Sequence, residues 1–179
     1  MAHNIDLNPV SAVTTGAVGP PGQRVFYLQA RRGPTTTITI ETEKEQVRAL
    51  ALGIHQFLEE LTQRFPDRAD FDAVDQRDLV LQPPFEPEFK VGQLGLGYDS
   101  DQDLVVIVAQ ALQIEEQTED DAITARFWIT RSQAKAMADN ALEIVAQGRP
   151  TCALCGRPIN SDGHFCPKRN GHATDLIVQ

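Results

Sequence analysis

Thr42–Phe65, TEKEQVRALALGIHQFLEELTQRF, decides how the rest of the chain is read. Apolar side chains recur at Val47, Leu50, Ala51, Ile54, Phe57, Leu58, Leu61 and Phe65. That three-four spacing gathers one face of a helix into a single buried stripe. Thr42 and Glu45 have capping-box spacing, in which each side chain satisfies a free amide of the first turn, and Pro66 stops the far end. Gly53 costs a helix interior about 1 kcal/mol relative to alanine, which points to a close approach by a neighbouring sheet. His55 falls outside the stripe and is expected on the polar face.

On both sides of this helix the period changes to that of strands. RVFYLQAR (24–31) sets Phe26, Leu28 and Ala30 on one face, and TTTITIE (35–41) repeats the alternation with Ile38 and Ile40, joined by a hairpin turn at RGP. Downstream, DLVLQ (78–82) reads as an edge strand before the Pro83-Pro84 break. FEPEFKVGQLGLGYD, DLVVIVAQALQ and ITARFWIT then read as a three-stranded meander, separated by the acidic turns DSDQD and EEQTEDD. Phe127 and Trp128 alternate on the last strand, so one is expected in the core and the other under a helix or partner. A second helix is expected from Arg131 to Gln147, capped by Thr130 and Gln133 and ended by Gly148 and Pro150.

The expected fold is α+β: a mainly antiparallel sheet with two helices packed on one face, plus a small C-terminal zinc-binding module. Residues 1–23 are polar and small and are expected to form a flexible N-terminal arm. The α+β domain is then 24–149 and the zinc-knuckle tail 150–179.

The composition of these 179 residues, 41% hydrophobic and 23% charged, is that of an ordinary globular protein. No run approaches a membrane span, and MAHNIDLNPVSAVTTG has neither a basic start nor an apolar signal core, so a cytoplasmic location without membrane insertion is expected. A net charge of -9 argues against non-specific nucleic-acid binding, which needs clustered Lys and Arg to release counterions.

All three cysteines lie in CALCGRPINSDGHFCPKRNGH, Cys152–His172. An odd count beside histidines favours metal over disulfide. Cys152 and Cys155 form a C-x2-C knuckle, with Gly156 letting the backbone curl back toward the sulfurs. Cys166 and His172 complete a Cys3His set with spacings x2, x10 and x5, suited to tetrahedral Zn2+. His164 competes for the fourth place, but a ligand two residues before Cys166 makes a compact chelate harder to close. Three thiolates and an imidazole make a closed, structural site rather than an open catalytic one. The tail also needs a metal: its large apolar groups are few, chiefly Leu154, Ile159, Phe165, Leu176 and Ile177.

Other motifs are weaker. GQLGLG, with Gly92, Gly95 and Gly97, lacks the following helix that a phosphate loop requires and reads as a bulged strand. Asp99, Asp101 and Asp103 imitate the start of a calcium loop, but Leu104 and Gln110 replace its glycine and its bidentate glutamate. Glu115, Glu116, Glu119, Asp120 and Asp121 suit either a solvated turn or a basic partner. The pairs Arg31–Arg32 and Lys168–Arg169 are expected to serve solubility, with phosphate contact as the alternative.

VGPPGQRVFYLQARRG, TTTITIETEKEQVRALA and the cysteine stretch, in that order over Gly16–His172, resemble an actinobacterial conserved-hypothetical family, a domain of unknown function. The resemblance implies no activity. It implies genes encoded together with proteins that look like a lipid-kinase fold and a histidine phosphatase, and so a shared phosphate-related pathway. The tail is similar to half of a zinc ribbon, with His172 offered where a ribbon has a cysteine at the position of Arg169.

The expected function is therefore a zinc-binding interaction or regulatory protein with structural Zn2+ and a protein partner, and no catalytic residue is assigned. The alternative is an enzyme acting on a phosphorylated or acidic small molecule, with Arg31, Arg32 or Tyr98 in its pocket. A third reading, nucleic-acid binding through the tail, requires affinity that falls steeply with salt.

Overall fold

The computed structural model describes residues 3–68, 72–118, 121–148, 152–157, 159 and 163–169. The helix expected around Ile54 is α1, Lys44–Arg64, and buries Val47, Leu50, Ala51, Ile54, Leu58 and Leu61. Its start is one residue later than the Thr42–Glu45 reading. Glu43 is the N-cap, and its N–H donates to the Gln46 side chain at 2.9 Å. Thr42 is instead the buried last residue of a strand. The second helix, α2, runs from Arg131 to Ala146 with the expected Thr130–Gln133 box.

Among the described residues there are seven strands: β1 (His3–Leu7), β2 (Ala12–Val18), β3 (Val25–Arg32), β4 (Thr36–Thr42), β5 (Val91–Asp99), β6 (Leu104–Ala111) and β7 (Ile123–Ile129). They form two sheets, in the orders β1-β7-β6-β5 and β2-β3-β4. Among these strands every pairing within a sheet is antiparallel except β1 with β7, and a parallel bridge links Glu41 to Lys90. The α+β class and the mainly antiparallel pairing are as expected, but the single sheet is two. Backbone bonds join them: Glu41 N–H donates to Phe89 O at 3.0 Å, and Val10 N–H to Trp128 O at 2.9 Å.

The two helices pack on each other, with α2 against β2 and α1 against β5. Between helices and sheets lies one apolar cluster, in which Leu28, Ile40, Ile54, Ile107, Phe127 and Met137 are fully buried. Phe127 thus takes the core position, while Trp128 faces the other way and donates Nε1–H to Asp99 at 3.1 Å. Gly53 faces Leu96, but an added Cβ would meet that side chain at 3.7 Å, an ordinary contact rather than the tight approach expected.

The flexible arm over 1–23 is corrected. Residues 3–7 and 12–18 are β1 and β2, with Leu7, Val10, Ala12 and Val13 in the core. Strand pairing uses backbone groups, so a polar sequence can join a sheet if its side chains find partners. Thr14 does so by donating its hydroxyl to Leu79 O at 2.8 Å.

DLVLQ is corrected too: Gln76–Leu79 is a 3-10 turn, and the chain after it crosses the outer face of the β2-β3-β4 sheet. Gln29 of β3 donates to Gln82 O and accepts from Gln82 N–H, both at 2.8 Å. Leu81 lies on Gly16 so closely that an added Cβ would sit 2.5 Å from its side chain. Tyr27 stacks on Phe85 with ring centroids 6.1 Å apart. This strap explains why five consecutive residues of β3, Phe26 to Ala30, are buried where alternation predicts one face.

Candidate metal centre

After α2 the described chain resumes at Cys152. The knuckle closes on itself: Gly156 N–H donates to Cys152 O and Cys152 N–H to Arg157 O, each at 2.8 Å. Gly156 has φ +72°, the left-handed conformation that glycine adopts without a Cβ penalty. The N–H of Cys155, and after it that of Leu154, stabilises the Cys152 thiolate and lowers its pKa to about 6. Cys155 is pushed up: Arg157 N–H favours its thiolate, but burial and the Cys152 and Cys166 sulfurs outweigh that bond.

The second half brings His164 and Cys166 to the same place. Cys155 Sγ lies 3.4 Å from His164 Nε2, and Cys152 Sγ lies 3.8 Å from Cys166 Sγ. One ligand atom from each of the four residues lies within 4.8 Å of all the others. A tetrahedral ion bonded at about 2.3 Å to sulfur and about 2.05 Å to nitrogen has S···S edges of about 3.8 Å and S···N edges of about 3.6 Å. The cluster therefore has the size of a single ion's coordination shell, and its sulfurs are far beyond disulfide length, about 2.05 Å. These four side chains could hold a metal ion.

The obstacle expected for His164 is not met. His164 and Cys166 both bring their ligand atoms to the cluster, while Phe165 between them stays exposed. Phe165 is 68% exposed, whereas Cys166 is buried. His172, expected as the fourth ligand, lies outside the described residues. Among the described residues from 152 to 169, Cys166 alone is buried, and Leu154, the other large apolar group of the knuckle, is 53% exposed.

Two of the three residues named for an enzymatic alternative are engaged elsewhere. Arg31, in β3, pairs with Asp78 at 3.3 Å. Tyr98, in β5, donates its hydroxyl to Asp103 at 2.6 Å, and the buried Arg131 donates to the same Asp103 oxygen at 3.0 Å. A cavity of about 400 Å3 between α1 and β5 is lined by Gln46, Leu50, Gly53, Gln93 and Leu96 among others, with no ionisable side chain. Neither arginine nor Tyr98 lines it.

The remaining motifs fall where their spacing predicts. GQLGLG is part of β5, with a bulge between Val91 and Gln93. At Gly92 a Cβ would meet Leu112 Cα at 2.9 Å, so the bulge is also a close backbone approach. Asp99 accepts from the backbone of Asp101 and Gln102, each at 3.1 Å, as a turn carboxylate. The Gln102 side chain, then its backbone N–H, holds that carboxyl below the usual range. His55 meets Asp139 of α2 at 3.0 Å on the outside of the helix pair.

Fold and cluster together define an α+β protein of two mostly antiparallel sheets with a C-terminal Cys/His group able to take a metal ion. The chain belongs to the DUF3090 family, described as proteins of unknown function, whose model matches residues 5–166 and so takes in all four clustered ligands. No curated protein and no solved structure matches it. Among the described residues, no helix is long and apolar enough to cross a membrane.

Proposed function

We propose that this chain is a zinc-binding interaction protein, in which a structural Zn2+ held by Cys152, Cys155, His164 and Cys166 fixes a small recognition module at the end of the α+β body. The observation that carries this is the cluster itself, four ligand atoms within 4.8 Å of one another with an S···S edge of 3.8 Å. Three thiolates select zinc over hard cations such as magnesium and calcium, and four protein ligands leave no place for an activated water. A structural role follows from burial: with Leu154 and Phe165 exposed, apolar contacts do not hold the module, and metal ligation must.

Metal analysis of the purified chain should return one zinc per molecule. Replacing zinc by Co2+ should give the intense visible absorption of a tetrahedral thiolate site. His164→Ala should weaken and shift that spectrum, and His172→Ala should leave it unchanged. The reverse pattern would transfer the fourth ligand to His172, and a chain purified without metal whose module is ordered would overturn the proposal.

A further inference from the structure

Two surfaces of this chain complement each other yet are both open. The first is the module. Residues 152–172 carry Arg157, Lys168 and Arg169 against one acid, Asp162, so this stretch keeps a small positive charge even with the net negative charge of Zn2+ on three thiolates, within a chain of net charge -9. Phe165, between two of the clustered ligands, is 68% exposed, and Leu154 is 53% exposed. The second is the connection between β6 and β7. It holds Glu115, Glu116, Glu119, Asp120 and Asp121, and no Lys or Arg lies from 112 to 125. Two large apolar side chains stand open beside these acids, Leu112 at 55% and Ile114 at 68% exposed. They border a cavity of about 330 Å3 whose apolar wall also includes Phe89, Ala111 and Ile123. The one cation on its rim, Lys90, is already paired with Glu43 at 2.6 Å.

Monomeric proteins seldom leave apolar groups of this size open beside a cavity without a partner for them. Phe165 and Ile114 are each about two-thirds exposed, so the two surfaces do not cover each other within one chain. We propose that the module of one copy docks on the β6–β7 connection of a second copy, with Phe165 entering the apolar cavity and Arg157, Lys168 and Arg169 facing Glu115 and Glu116. The contact is heterologous, because each copy offers its module and receives another at a different place, so it can grow into rings or chains. The aromatic anchor supplies most of the affinity, and the charges supply register and salt dependence. The inference rests on the zinc reading, since the metal is what fixes Phe165 in its outward direction.

Sedimentation of the zinc-loaded full chain, over about 10 to 500 μM, tests it. The weight-average mass should rise above 19.7 kDa with concentration and fall back in about 0.5 M salt. Phe165→Ser removes the anchor and Ile114→Ser opens the cavity wall, and each should weaken association at least about tenfold while retaining zinc and secondary structure. Mixing the two variants should restore association, stopping at a dimer, because one variant keeps the module and the other keeps the cavity. A wild-type chain that stays monomeric throughout, or variants that associate like wild type, or a mixture that recovers nothing, would overturn the inference. Binding of a fluorescent fifteen-nucleotide oligo-dT, lost in Phe165→Ser while the chain stays monomeric, would assign the surface to nucleic acid instead. Metal content measured on the same samples separates the two readings: a zinc-containing monomer refutes the self-docking alone, whereas an associating chain without metal refutes the structural zinc.

Discussion

The body and the cysteine stretch of this chain differ in how much they bury. In the body, Phe127, Leu28, Ile54 and Met137 are removed from water, and a layer of helices closes over two sheets. In the module, Cys166 is the single buried side chain among the described residues, and Leu154 and Phe165 are exposed. Burial stabilises the first, and the proposed zinc would hold the second. The contrast separates two vulnerabilities: the module should be sensitive to chelators and indifferent to core mutations, and the body should behave the opposite way.

The largest expected effect breaks the module alone. Cys152→Ser removes a thiolate from the cluster and should abolish zinc retention, a loss on the order of 10 kcal/mol of local folding energy, while the melting temperature of the body stays within a few degrees. Metal analysis and calorimetry read the two halves separately. Next comes the converse, Phe127→Ala at the centre of the core, expected to cost about 3–5 kcal/mol in denaturant unfolding. The folded fraction of that variant should still carry its zinc.

Smaller changes sharpen the account of the body. Gly16→Ala places a methyl 2.5 Å from the Leu81 side chain, so it should push the strap off β2 and cost about 1–3 kcal/mol. Gly53→Ala is expected to have the opposite sign. Its methyl meets Leu96 at an ordinary 3.7 Å, and α1 gains up to about 1 kcal/mol of helix propensity. An unchanged or lowered midpoint for Gly53→Ala would show that α1 and β5 approach more closely than their contact implies.

The parts of this fold that were legible are those whose burial repeats with a fixed period. Val47 to Leu61 and Ala134 to Ala141 each fill one helical face, so both helices and the second cap could be read directly. Thr42–Glu45 and Glu43–Gln46 offer the same spacing one residue apart, and the cap goes to the second because Thr42 is held in β4. β1 escaped because its partner, β7, lies at the far end of the body's sequence, and β2 because its buried Thr14 is satisfied by Leu79 O, 65 residues away. The one local hint was the run of β-branched residues in AVTTGAV, Ala12–Val18. At the cluster, the three cysteines are plain from spacing, whereas spacing alone leaves both His164 and His172 for the fourth place. The spacing does not show that the chain brings His164 Nε2 to 3.4 Å from Cys155 Sγ.

The most direct test of the central claim is amide hydrogen exchange on the zinc-loaded chain before and after chelation. On loss of metal, amides from 152 to 169 should exchange at the rate of an unfolded segment, while those of α1 from Val47 to Leu61 keep their protection. Unchanged protection in the module after the metal is gone would contradict the account.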